Sequence, residues 1–258
     1  MPVKRTGSGQ PSKTLALLWG LAPQSTPRKG PARSLTVEQI VEAALELADD
    51  LGIDAVTMRA VANRVGVSAM SIYTYIPGKP ELLDLMVDTL YAGLPRASWG
   101  NDSWRDRAQQ VAESNRELLR QHPWMTEIAA LSRPPLGPGV MAKYEHELAV
   151  FDTTDLSDTD IDAALSYLLG FVQSHCRSAR DAERATTDSA MTDAQWWETN
   201  QSLLAEAVDP EKFPRAVRIG AAAGAEQDSA WNPDRAWRFG LDRTLDGLAA
   251  LIDALPER

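Results

Sequence analysis

The stretch "VSAMSIYTYIPGKPELL", Val67 to Leu83, decides how this sequence folds. Ser68 stands where it can cap a short helix, and Pro77-Gly78 breaks that helix before a second apolar run begins. Ile72 and Ile76 lie one turn apart and share an inward face with Val67. At about 100° per residue, Met70, Ser71, Tyr73 and Thr74 then point away from that face. So short a helix has little area to bury, yet it carries phenols and hydroxyls on its free side. Upstream, Thr57 is placed to cap another short helix with Val61, Ala62 and Val65 inward. Gly66 suits the positive φ of a tight turn. Two short helices joined by "GVS" (Gly66 to Ser68) have the spacing of a helix-turn-helix. The competing reading at this level is an ordinary helical hairpin inside a bundle.

Side-chain chemistry favours the first reading. Ala69 and Ser71 keep the second helix slim enough for a DNA major groove. Hydroxyls can meet base edges or phosphates, and the carbons of Met70 can meet a thymine methyl. Tyr75 lies to one side, where a phosphate is the expected partner. Lys79 adds charge at the start of the next helix, near free backbone N–H groups that favour phosphate.

The pattern continues in both directions. Thr36 and Gln39 form a capping box, followed by Ile40, Val41, Ala44, Leu45, Leu47 and Ala48 at helical spacing. Gly52 is the stop signal for that helix. Another helix is expected from about Lys79 to Leu90, with Gly93 and Pro95 marking a boundary. Beyond it, Trp104 to Arg120 reads as helix, His122-Pro123-Trp124 as a break, 134–138 as loop, and Val140 to Phe151 as helix again. Ser157 caps a long segment with a stripe of Ile161, Ala164, Leu165, Leu168, Val172 and Cys176. Residues 181–228 are less regular. Asn232 caps a last helix with Pro233 at its first position and a stripe through Trp237, Leu241, Leu245, Leu248 and Ile252. No strand alternation occurs, so the expected fold is all-α. The expected divisions are a basic, mostly disordered arm over 1–34, a helix-turn-helix domain over 35–93, and a larger helical domain over 94–258. "TLALLWG" (Thr14 to Gly20) is the exception in the arm. It reads either as a fragment docking on its own domain or as a contact with DNA or a partner.

Composition sets outer limits. The chain has 258 residues, 44% of them hydrophobic, which is ample for a core. No run of eighteen apolar residues occurs, so no membrane association is expected and cytoplasm is the default. The lone Cys176 excludes an internal disulfide and argues against a cysteine-based zinc site. The net charge of −10 looks wrong for a nucleic-acid binder until it is divided by region. Residues 1–35 hold six basic residues and no acid. Between Thr57 and Lys79 the charged residues are Arg59, Arg64 and Lys79, with no acid among them. Phosphate binding depends on local charge, not on the total.

Residues 35–93, including "AVTMRAVANRVGVS", Tyr73 and the lysine of "GKPELL", resemble the DNA-binding domain of the TetR family of bacterial repressors. The resemblance implies a homodimer that puts one helix of each protomer into the major groove and encloses an inducer pocket in its C-terminal helices. By position, Arg59, Ser71, Tyr73, Tyr75 and Lys79 match DNA-contacting positions, and Thr57 matches the capping threonine that touches phosphate. Ser68, Ala69, Met70 and Thr74 complete the expected DNA-facing set. Met70 stands where some members carry proline or a small polar residue, and Tyr75 where many carry histidine or phenylalanine. The operator therefore cannot be borrowed from a relative. "SWRDRAQQVAESNRELLRQHPWMTEIAAL" and "GLDRTLDGLAALI" resemble the ligand-binding domain of the tetracycline-repressor subgroup. "YAGLPRAS" lacks the histidine that tetracycline repressors use on their drug, so tetracycline–metal binding is not expected.

These readings lead to a ligand-responsive repressor that binds a palindromic double-stranded operator as a homodimer and is released by a small apolar or aromatic effector. No cofactor, metal or catalytic residue is expected. Eight tryptophans are many for this length. Trp104, Trp124, Met125, His175, Trp196 and Trp197 are the candidate walls of the ligand pocket, with ordinary packing as the competing reading. Ile161, Leu165, Leu168, Val172, Leu241, Leu245, Leu248 and Ile252 are the candidate dimer interface, with packing inside one subunit as the alternative. An all-helical interaction protein, or an activator without inducer release, is the rival function.

Overall fold

The structure, a computed structural model, describes residues 5–21, 35–227 and 231–254. Among the described residues every regular element is helical. α1 spans Pro11–Leu18, α2 Val37–Leu51, α3 Met58–Arg64, α4 Ala69–Tyr75 and α5 Lys79–Gly93. α6 spans Trp104–Gln121, α7 Met125–Ile128, α8 Pro138–Leu148, α9 Asp158–Ser189, α10 Asp193–Ala207, α11 Pro214–Gln227 and α12 Pro233–Asp253.

The helix ends follow local chemistry. Thr36 Oγ1 accepts from the Gln39 N–H at 3.3 Å, while Gln39 Oε1 accepts from the Thr36 N–H at 3.1 Å, so α2 opens on the expected capping box. Ser157 caps α9, and Asn232 caps α12 with Pro233 next. Gly52 and Gly66 hold φ of +82° and +75° at the turns after α2 and after α3, angles that cost a side-chain-bearing residue energy. α2, α3, α4 and the first half of α5 pack around Ile40, Ile72, Ile76, Leu82 and Leu83, all without solvent exposure. One apolar core runs from there through α5 into α6, α8, α9 and α12.

Three regions differ from expectation. Residues 181–228, expected to be less regular, are mostly helical among the described residues: α9 runs on to Ser189, and α10 and α11 follow after short turns. α10 buries none of its residues. Without a core to face, it has no apolar stripe to read. It opens on a capping box between Thr192 and Gln195, at 3.2 and 2.9 Å.

The arm, expected to be mostly disordered, is structured over residues 5–21 and lies against its own chain. Thr6 Oγ1 donates to the Ile128 carbonyl at 3.1 Å and accepts from the Ala130 N–H at 3.1 Å. The Gly7 N–H reaches Asp84 Oδ1 at 2.8 Å, the Gln10 N–H reaches Glu81 Oε1 at 3.2 Å, and Trp19 Nε1 donates to the Leu136 carbonyl at 2.8 Å. Such long-range bonds leave no periodic trace in sequence. The basic residues at positions 4, 28, 29 and 33 lie outside the described residues.

The third difference concerns the two apolar stripes expected at a dimer interface. Leu165, Leu168, Val172, Leu241, Leu245 and Leu248 are buried within the chain, and Ile161 and Ile252 pack partly buried against the same core. α6 supplies a third apolar face through Ala108, Val111, Ala112 and Leu119, so the two stripes meet it and each other. Each fully buried aliphatic side chain there contributes about 1.5–3 kcal/mol, and only Ile161 and Ile252 keep part of their surface open. The outward faces of α9 and α12 instead carry Tyr167, Phe239 and Leu251, at 58%, 65% and 43% exposure.

Candidate nucleic-acid interface and ligand cavity

α3 and α4 form the expected helix-turn-helix. Thr57 Oγ1 accepts from the Ala60 N–H at 3.1 Å and Ser68 Oγ from the Ser71 N–H at 3.2 Å, so each helix starts on a capped end. Buried Ile72 and Ile76 pin α4 to the domain. Opposite them, Met70 and Tyr73 project into solvent at 76% and 47% exposure. Thr74 is exposed, Ser71 and Ala69 are half-buried, and Tyr75 packs partly buried against the core on the flank.

The hydroxyls are held locally: Ser71 Oγ lies 2.9 Å from Ser68 Oγ, and Thr74 Oγ1 donates to the Met70 carbonyl at 3.4 Å. These weak exposed bonds can be exchanged for a DNA partner at little cost.

The positive patch is smaller than the sequence suggests. Arg64 is tied by ion pairs to Glu46 at 2.9 Å and Asp50 at 3.1 Å. Lys79 does not reach outward: its Nζ donates to the Ile53 carbonyl at 3.2 Å, and burial lowers its pKa. Arg59 is exposed on α3, with no ion pair to a described residue. Sequence spacing placed all three cations on one stretch but could not show that α2 supplies two acids opposite Arg64.

A cavity of about 510 Å³ opens between α5, α8, α9 and the 129–136 loop. Val87 and Tyr91 of α5, Tyr144 of α8, Leu169 of α9 and Pro134 and Leu136 of the loop form much of its apolar wall. Thr6 of the arm also borders it. Lys143 and Glu147 of α8 bring polar groups to the wall: both are buried, with Nζ 2.5 Å from Oε2. α8 is held against α5 by its own first turn, where the Gly139 and Val140 N–H groups donate to the Asp88 carboxylate at 3.2 and 2.8 Å. A Cβ at Gly139 would lie 2.0 Å from the Asp88 carbonyl, so glycine permits this approach.

None of the six residues expected to wall a ligand site borders this cavity. Trp124 and Met125 are core, and Trp124 Nε1 donates to Asp49 Oδ1 at 2.6 Å. Trp104 stacks on Phe151 at 6.3 Å. His175 is buried beside Trp237 at 5.1 Å, with Nε2 unpartnered among the described residues, and burial lowers its pKa. Trp196 is exposed on α10, and Trp197 lies against Gly224 of α11. Except for exposed Trp196, these residues serve packing. The cavity residues themselves, prolines and aliphatics with two tyrosines, carry no distinctive spacing.

A helix-turn-helix with an outward polar helix, joined by one continuous helix to a cavity-bearing helical domain, defines a DNA-binding regulator. The sequence comparisons name the family. Residues 40–86 match the bacterial regulatory proteins of the tetR family, and residues 95–252 match the tetracyclin repressor-like C-terminal domain. The chain belongs to the TetR family of transcriptional repressors. It is 35% identical over 249 residues to the HTH-type transcriptional repressor DrrR1 of Streptomyces coeruleorubidus, covering 96% of this chain and 88% of that one. It is 27% identical over 215 residues to the class A tetracycline repressor of transposon 1721 from Escherichia coli, covering 81% and 88%. Among solved structures, ActR of Streptomyces coelicolor in complex with (S)-DNPA shares the fold with a TM-score of 0.68 at 25% identity, over 85% of this chain and 99% of that chain. ActR in complex with actinorhodin aligns with a TM-score of 0.72 at 24% identity, over 86% and 99%. Among the described residues no helix is long and apolar enough to cross a membrane.

Proposed function

We propose that this chain works as a cytoplasmic homodimer that represses transcription from a palindromic operator and is released by a small apolar or aromatic molecule. Each protomer would lay α4 in the major groove, with Met70, Ser71, Tyr73 and Thr74 toward bases, and with Thr57, Arg59, Ser68, Ala69 and Tyr75 around them toward the backbone. Lys79 would act indirectly, by holding the start of α5 to the turn at Ile53. The outward faces of α9 and α12, with Tyr167, Phe239 and Leu251, are the surfaces a second protomer would cover. The two α4 helices would then sit about 34 Å apart, one turn of DNA.

The observation that carries this reading is the position of α5. Its first half packs under the helix-turn-helix through Leu82 and Leu83, and its second half walls the cavity through Val87 and Tyr91. A molecule that fills the cavity presses on the same rigid helix that sets the α4 spacing. A coupling of about 1–3 kcal/mol would change operator affinity about 5- to 150-fold. ActR, bound to (S)-DNPA and sharing this fold, supports a small-molecule effector.

The test is a mobility-shift titration against the DNA upstream of the gene and its neighbour, at several salt concentrations. A salt-dependent, sequence-selective dimer complex is expected. Binding that ignores sequence, or a monomer that binds as tightly, defeats the proposal.

A further inference from the structure

Resting on the effector reading above, we infer that Lys143 and Glu147 set the chemistry of the effector: a neutral, mostly apolar molecule with a ketone or hydroxyl oxygen at one edge, not a carboxylic acid of the same size.

The walls of the cavity are mostly apolar, and a volume of about 510 Å³ falls in the range of small-molecule sites. At its α8 side the pattern changes. Lys143 Nζ donates to Glu147 Oε2 at 2.5 Å, and the side chains of the pair are 8% and 2% exposed. Asn115 Nδ2 donates to the other carboxylate oxygen, Glu147 Oε1, at 2.6 Å and also to the Val111 carbonyl. Asn115 is therefore a positioning residue that fixes the carboxylate from behind.

An ammonium has three donors. Among the described residues Lys143 has one hydrogen bond, to Glu147, and its Nζ stands 5.0 Å from the centre of the Tyr91 ring. Donor capacity therefore remains at the cavity wall. An acceptor oxygen on a bound molecule can use it, whereas a pure hydrocarbon leaves it unmet, and a site built around a hydrogen bond rejects the analogue that lacks it.

Charge decides between acceptors. Glu147 already balances Lys143, and the remaining charged side chain on the wall is Asp162, which accepts from Tyr144 Oη at 2.7 Å. A carboxylate entering the cavity would lose its water and meet a wall of net negative sign. A ketone or phenol oxygen meets no such repulsion, so the pair offers a hydrogen bond without an anion site.

Three tricyclic probes of nearly equal size test this by equilibrium dialysis at pH 7.5: fluorene, 9-fluorenone and 9-fluorenone-2-carboxylate. The wild-type chain should bind the ketone at least about tenfold more tightly than either of the others. In Lys143→Met/Glu147→Met, which removes both charges and keeps the volume, the preference for ketone over hydrocarbon should vanish. Glu147→Gln, which frees the lysine charge, should improve binding of the acid about tenfold or more. Because a single substitution leaves one buried charge unpaired, the double variant carries the decision. Equal binding of all three probes by the wild type, or a ketone preference that survives in the double variant, overturns the inference and leaves the effector cavity standing. If no probe binds, the effector reading fails and this inference falls with it.

Discussion

The Gly7 N–H donates to Asp84 Oδ1 at 2.8 Å, joining the arm to the middle of α5 across 77 positions of sequence. Asp84 is buried, and burial raises its carboxyl from 3.8 to about 6, against the lowering effect of that hydrogen bond; the charge of Glu81 adds to the rise. The folded chain therefore holds this proton more tightly than the unfolded chain. The resulting stability is fully present below about pH 3.8 and is lost as the pH rises through about 6. Asp84→Asn keeps an acceptor for Gly7 and removes the titration. Urea unfolding of both chains from pH 5 to pH 8 should show the variant gaining on the wild type as pH rises, by on the order of 2 kcal/mol at the upper end. A difference that stays constant with pH would refute this role for Asp84.

Thr6 supplies the arm's second anchor. Its hydroxyl satisfies both the Ile128 carbonyl and the Ala130 N–H, beside the cavity. Thr6→Val keeps the shape and removes both bonds. It should cost about 1–3 kcal/mol and weaken binding of whatever ligand fills the cavity. Thermal unfolding with and without ligand measures both effects, and an unchanged midpoint would show that the Thr6 hydroxyl contributes nothing.

Tyr73 is half exposed, so its removal should touch only DNA. Tyr73→Ala is expected to weaken operator binding more than tenfold while changing stability by less than about 0.5 kcal/mol. A shift titration and a melting curve read the two effects separately. Unchanged operator affinity would mean that α4 is not the helix in the groove.

Phe239 is the largest exposed apolar side chain of α12, at 65% exposure. Phe239→Glu should turn a dimer into a monomer in dilute-solution size measurements and weaken operator binding with it, because the two α4 helices are then no longer linked. A variant that remains dimeric would place the interface elsewhere.

Gly139 lies where α8 touches α5 most closely. Gly139→Ala forces the helices apart or bends one, at a cost of about 1–3 kcal/mol. Since both helices wall the cavity, ligand affinity should fall along with stability. Calorimetric titration of the folded variant tests the second part.

Much of the DNA-binding half was legible in the sequence, because its signals are local. The Thr36–Gln39 box, the caps at Thr57 and Ser68, the turn at Gly66 and the inward Ile72 and Ile76 each depend on residues within a few positions of one another. The same locality explains the failures. Lys79 looked like a phosphate contact because its tether, the Ile53 carbonyl, lies 26 positions away. Arg64 looked free because Glu46 and Asp50 belong to another helix.

Local sequence alone is enough to place the helices over most of the chain, the helix-turn-helix and the outward face of α4. Capping and periodicity are short-range effects that survive without knowledge of neighbours. Only the tertiary structure decided what the apolar stripes meet. Leu165, Leu168 and Val172 on α9 would suit a dimer seam or an internal core equally well, and in the folded chain they pack in the core beside α6. It also decided where the cavity lies. A cavity is the space that packed helices fail to fill, and it depends on the distances among α5, α8 and α9, which no spacing along the chain records.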